Sequence, residues 1–170
     1  QQKVELIQLG DAFALWVLKS GKIGITKNQV FGHDMEMREV ISSLMQKHGG
    51  DRGKMWEEFG PILAQYRRER VNNPDNPIGY GLFNGQEEVA QCWRKITVPR
   101  NDIQLLLLFT DGFVYYQETG DRQTLAQGVL SLYRSGRLEA ILANTRKKEE
   151  TEKATSHIDH AEATAIAIEF

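Results

Sequence analysis

Leu105-Leu106-Leu107-Leu108-Phe109-Thr110-Asp111-Gly112-Phe113 is an uncharged apolar run that ends abruptly in an acid followed by glycine. A run of this length bounded by turn residues reads as a strand buried on both faces. The Asp-Gly step ends it and delivers a carboxylate to the rim of a sheet, where the chain must turn. Carboxylate oxygens suit hard divalent cations such as Mg²⁺ and Mn²⁺, so Asp111 is a candidate metal ligand. The plainer alternative is a turn in which Asp111 only satisfies backbone N–H groups.

Upstream of this stretch, Val4 to Gln8 and Ala12 to Leu18 read as strands joined at Gly10-Asp11, the second apolar enough for cover on both faces. A returning strand over Ile23 to Thr26 follows the turn Lys19-Ser20-Gly21-Lys22. Met37, Val40, Ile41, Leu44 and His48 recur at helical spacing, and Gly49-Gly50 stops that helix. Met55, Phe59, Ile62, Leu63 and Tyr66 mark a second helix, with a kink or break expected at Gly60-Pro61. Residues 72–79 are turn chemistry, and Tyr80 to Phe83 with Glu88 to Trp93 read as a hairpin about Asn84-Gly85. A strand is expected over Lys95 to Val98.

Downstream, Asp121 can cap a helix carrying Leu125, Val129, Leu132 and Tyr133. Gly136 separates it from a helix with Leu138, Ile141, Leu142 and Thr145 on one face, which runs on into a charge-mixed end. Ala163 to Phe170 is a final strand. Strand and helix clusters alternate along the chain, an α+β pattern of antiparallel sheets flanked by helices.

The 170 residues fit a single domain, 1–170. A net charge of −2 provides no electrostatic case for nucleic acid. No apolar run approaches the ~20 residues of a membrane span, and Gln1 to Leu6 lack the apolar core of a signal peptide. The single Cys92 excludes an intramolecular disulfide and suits a reducing, cytoplasmic setting; in its strand-like context it reads as a small core residue.

Three motifs, in this order, resemble the C-terminal half of the metal-dependent protein phosphatases of the type 2C class (PPM). Leu9-Gly10-Asp11-Ala12, with the strand and turn after it, is similar to the family's Gly-Asp-Ser segment. Leu107 to Phe113 is similar to its Ser/Thr-Asp-Gly motif, and Ala161-Glu162-Ala163-Thr164 to its closing Asp-Asp/Asn-x-Thr strand. The resemblance implies an antiparallel β-sandwich between helix layers, of which this chain supplies the C-terminal portion. It also implies two Mn²⁺ or Mg²⁺ ions that activate water against phosphoserine or phosphothreonine in a phosphoprotein substrate. A missing N-terminal half, or a partner chain, would then complete the site.

The closing motif departs from the family, because Ala161 stands where its metal-binding aspartate lies. Asp159 and Glu162 flank that position and are the candidate ligands beside Asp111; Asp159 shares the parity of residue 161 along an extended chain. Asp11 is expected to brace the rim by accepting backbone hydrogen bonds. His157-Ile158-Asp159-His160 lacks the further His or Cys of a tetrahedral zinc set and reads as a solvated loop. Arg67, Arg68 and Arg70 could clamp a phosphate or simply form a charged helix end. A non-catalytic pseudophosphatase acting as a binding or regulatory module is the alternative function, and an unrelated α+β binding domain a third.

Overall fold

The apolar run 105–109 lies in β5 (Ile103–Phe109), an inner strand of a four-stranded antiparallel sheet. It is flanked by β2 (Phe13–Leu18) on one side and β6 (Ala165–Glu169) on the other, and β3 (Ile23–Ile25) forms the far edge beyond β2. A computed structural model describes residues 2–115, 121–156 and 161–170. β1 (Lys3–Gln8) pairs with β4 (Arg94–Pro99) as a second, two-stranded antiparallel sheet. The helices are α1 (Phe31–Lys47), α2 (Arg52–Arg70), the four-residue α3 (Val89–Cys92) and α4 (Arg122–Ser156). The architecture is therefore mixed α and β with two antiparallel sheets.

The chain divides into two compact units, Gln1–Lys27 with Lys95–Phe170, and Asn28–Arg94. In the first, the register Phe13↔Phe109, Leu15↔Leu107, Val17↔Leu105 puts alternate residues of β2 and β5 on one face of the sheet. Ala165 and Ala167 of β6 lie opposite Phe109 and Leu107 on that same face. These residues form one buried core with Ala126, Val129, Leu130, Tyr133 and Ile141 of α4. Each fully buried leucine or isoleucine there contributes about 1.5–3 kcal/mol. Phe13 stacks on Phe109 at 5.4 Å between ring centres.

α4 breaks as Gly136 suggests. Residues 136 and 137 leave helical geometry, and Arg137 takes a left-handed φ of 60°. The second helix of the chain corrects the expected break at Gly60-Pro61, because α2 runs unbroken through Pro61. Pro61 and Glu57 are both exposed, so the carbonyl that loses its helical donor can bond water instead.

The hairpin expected over 80–93 is also corrected. Asn84-Gly85 does turn, with Gly85 at φ 89°, but no ladder forms. The buried Asn72 side chain takes the place of a partner strand: its Oδ1 accepts from Leu82 N at 2.8 Å and its Nδ2 donates to Leu82 O at 3.0 Å. Residues 89–92 then coil into α3, so Cys92 sits in a helical turn and not in a strand. In this second unit Met37, Leu44, Met55 and Phe59 are the buried contacts between α1 and α2.

Candidate functional site

The β2–β5 pairing ends at Phe13–Phe109. Asp11 lies two residues before it in a turn, and Asp111 two residues after it at the start of a short 3₁₀ turn, near enough for the charge of Asp11 to act on Asp111. Both side chains are open to solvent at this end of the sheet. Asp111 nevertheless holds its proton more tightly than an ordinary aspartate. Partial burial is the first cause, and the Asp11 charge adds to it. The Gly112 amide works the other way, donating to Asp111 Oδ1 at 2.8 Å. Two carboxylates whose charges oppose each other at one rim form a local excess of negative charge, which a divalent cation relieves.

β6 closes the other side of the Asp-Gly turn. Thr110 N donates to Thr164 O at 3.0 Å, and Thr164 N to Thr110 Oγ1 at 3.1 Å. This pairing lays residues 161–162 against Gly112. A Cβ on Gly112 would fall 2.2 Å from the Glu162 carbonyl oxygen and 2.8 Å from Ala161 Cβ, so only glycine permits the approach. Ala161 therefore lies beside Gly112, the residue after Asp111. Glu162 is exposed and meets the turn through its backbone carbonyl. Asp159 lies outside the described residues. Among the described residues no three His, Cys, Asp or Glu side chains converge as a metal site.

Three bracing residues escape a reading by sequence. Thr145 of α4 is buried; its hydroxyl donates to Phe113 O and accepts from Tyr115 N, both at 3.0 Å, fixing the chain just beyond Asp111. The next residue, Arg146, donates from Nη2 to Ala161 O at 2.8 Å and pairs with Glu149 at 2.6 Å. Gln8 holds the Asp11 loop, its Nε2 donating to Ala12 O at 2.8 Å and Lys27 O at 2.7 Å, while its buried Oε1 has no partner among the described residues. Thr145 did carry a signal, since a polar residue on an apolar helix face needs a partner. A loop glutamine and a charged helix end carry none.

The remaining candidates lie elsewhere. Arg70 is neither a phosphate clamp nor an exposed helix end: it is buried, pairs with Glu36 at 2.8 Å and donates to His33 Nδ1 at 3.2 Å. Tyr66 packs over its guanidinium at 3.7 Å. Arg67 and Arg68 are exposed on α2. Burial raises the Cys92 thiol, which removes thiolate character. His157 and His160 lie outside the described residues. No helix among the described residues is long and apolar enough to cross a membrane.

Comparison of the chain with family models, curated proteins and solved structures finds no match in any of the three.

Proposed function

We propose that this chain is the C-terminal portion of a metal-dependent phosphatase of the type 2C class, acting on phosphoserine and phosphothreonine in cytoplasmic proteins. The observation that carries the reading is the charge of Asp11 acting on Asp111 at one sheet end, with the closing segment packed on Gly112. Asp111 is the first ligand in this reading, and the closing segment supplies Asp159 or Glu162. Asp11, read from sequence as a brace, accepts no backbone hydrogen bond among the described residues and enters through its charge. Mn²⁺ or Mg²⁺ bound there would activate water and offset phosphoryl charge. The protein's own part is positional: Thr145, Arg146 and Gln8 hold the segments that carry the acids, so that little ordering is left for binding.

The outer face of β6 supports the sandwich. Its alanines turn inward to the core, whereas Ile166 is 55% and Ile168 39% exposed. Putting the larger apolar residues outside is unfavourable unless another layer covers them. Ala161, a methyl group where a carboxylate belongs, favours the second reading, a pseudophosphatase that binds and does not hydrolyse.

Thermal unfolding with and without Mn²⁺ tests the metal site. Mn²⁺ is expected to raise the melting temperature of the wild type and to leave Asp111→Asn unchanged, as linkage requires. An equal rise in both proteins would remove Asp111 from the site. Mn²⁺-dependent phosphatase activity in the longest available form of the protein separates the enzyme from the pseudophosphatase.

A further inference from the structure

At the end of the sheet away from Asp111, a cavity of about 410 Å³ opens between the start of β5, the end of β6 and the break in α4. Its volume lies within the usual range for small-molecule sites. Val17, Leu105 and Leu130 are buried residues that form an apolar floor. Arg134, just before the helix break, and Arg137, within it, supply the charge.

The two arginines differ in their commitments. Arg137 is held: it pairs with Glu169, and its Nη1 donates to Tyr133 Oη at 3.1 Å. Tyr133 is buried and in turn donates to Glu169 Oε1 at 3.0 Å. The guanidinium also lies over the Tyr133 ring at 5.2 Å. Arg134 is exposed and has no hydrogen-bond or ion-pair partner among the described residues. Of the charged side chains on the cavity wall, Arg137 and Glu169 are engaged with each other and Arg134 is not.

Arg137 adopts φ 60°, ψ −150°, a conformation in which side chains other than hydrogen are strained. A strained non-glycine residue on a cavity wall is a pointer to use, because an ordinary helix connection has no need of it.

We propose that this cavity binds a small organic carboxylate with an apolar body, its carboxylate on Arg134 beside the Arg137–Glu169–Tyr133 group and its body on the apolar floor. Arg134 is the unengaged charged side chain of the wall, and guanidinium matches carboxylate in a two-point hydrogen bond. The site is separate from the candidate metal centre: at about 3.3 Å per residue, β5 alone sets Gln104 roughly 16 Å from Phe109. It stands whether or not the phosphatase reading does.

Phenylacetate is the probe and uncharged phenylacetamide its control, titrated calorimetrically into the 170-residue chain, with amide chemical shifts of Gln104 and Leu105 reporting location. A ligand this small is expected to bind with a Kd of about 1 mM. Phenylacetamide, and phenylacetate with Arg134→Gln, are each expected to bind at least about tenfold more weakly, the loss of one charge-assisted contact. Arg134 is exposed and holds no hydrogen bond or ion pair among the described residues, so the variant is expected to keep its fold, and an unchanged circular dichroism melt checks this. No saturable binding of phenylacetate at about 10 mM, equal binding of the amide, or unchanged binding by Arg134→Gln each overturns the proposal.

Discussion

Asp111 is destabilising in its ionised form, and the sign of its effect on folding follows. The folded protein holds the Asp111 proton more tightly than the unfolded chain does, because of partial burial and the charge of Asp11. Its contribution to stability is therefore complete below the ordinary value of 3.8 and is lost as pH rises through the raised value. Asp111→Asn is accordingly expected to melt higher than the wild type at pH 7 without metal. The gain should be less than about 1 kcal/mol, since solvent screens an accessible carboxylate, and it should vanish near pH 3. A lower melting point for the variant at pH 7 would mean that the carboxylate holds the turn together through Gly112. One position away the constraint is steric. Gly112→Ala puts a methyl into the Glu162 carbonyl, and urea unfolding is expected to show a loss of at least about 2 kcal/mol.

The elements differ in how much of them a sequence discloses, and the difference has a physical cause. β5 is legible because four leucines and a phenylalanine bounded by Asp-Gly admit few other structures, whereas nothing in the composition of 163–170 names β5 as the partner of β6. The hairpin at 80–93 is misread because a side chain, Asn72, satisfies backbone groups that a strand would otherwise pair. Arg70 is misread for a related reason. Nothing in the run Arg67-Arg68-Glu69-Arg70 tells which arginine turns inward to meet Glu36 and His33 from α1. That inward turn has a consequence for the helix pair. His33 must leave Nδ1 unprotonated to accept from Arg70, and its pKa is lowered, first by burial and then by Arg70 and Arg67 against the pull of Glu36. Folding therefore favours the neutral ring, so this stability is present above pH 6.5 and falls away as the pH drops toward the lowered value. The opening free energy of α1 and α2, taken from hydrogen exchange corrected for the intrinsic rate at each pH, is expected to fall as the pH drops below 6.5, and the fall to disappear in His33→Gln. An unchanged pH dependence in His33→Gln would assign the effect to other groups.

The candidate centre draws its parts from distant stretches of chain: Asp11 after β1, Asp111 after β5, residues 161–162 before β6, and Thr145 and Arg146 from the far half of α4. Motifs disclose the acids, because carboxylates beside glycine are conspicuous, but not the residues that aim them. Ala161 is where the assembled geometry makes its sharpest demand. Its Cβ lies beside Gly112, so a carboxylate grown from it would enter a rim where the charge of Asp11 already acts on Asp111. Ala161→Asp is therefore expected to lower the metal-free melting temperature through like-charge repulsion and to tighten Mn²⁺ binding about tenfold or more, both read by calorimetry. Turnover of p-nitrophenyl phosphate by the 170-residue chain should stay negligible in the wild type, because a cation on two carboxylates leaves the attacking water without orientation. Unchanged Mn²⁺ affinity in a folded Ala161→Asp protein would place the third ligand elsewhere, at Asp159 or Glu162, and robust Mn²⁺-dependent turnover by the wild-type chain would mean that its own acids already suffice.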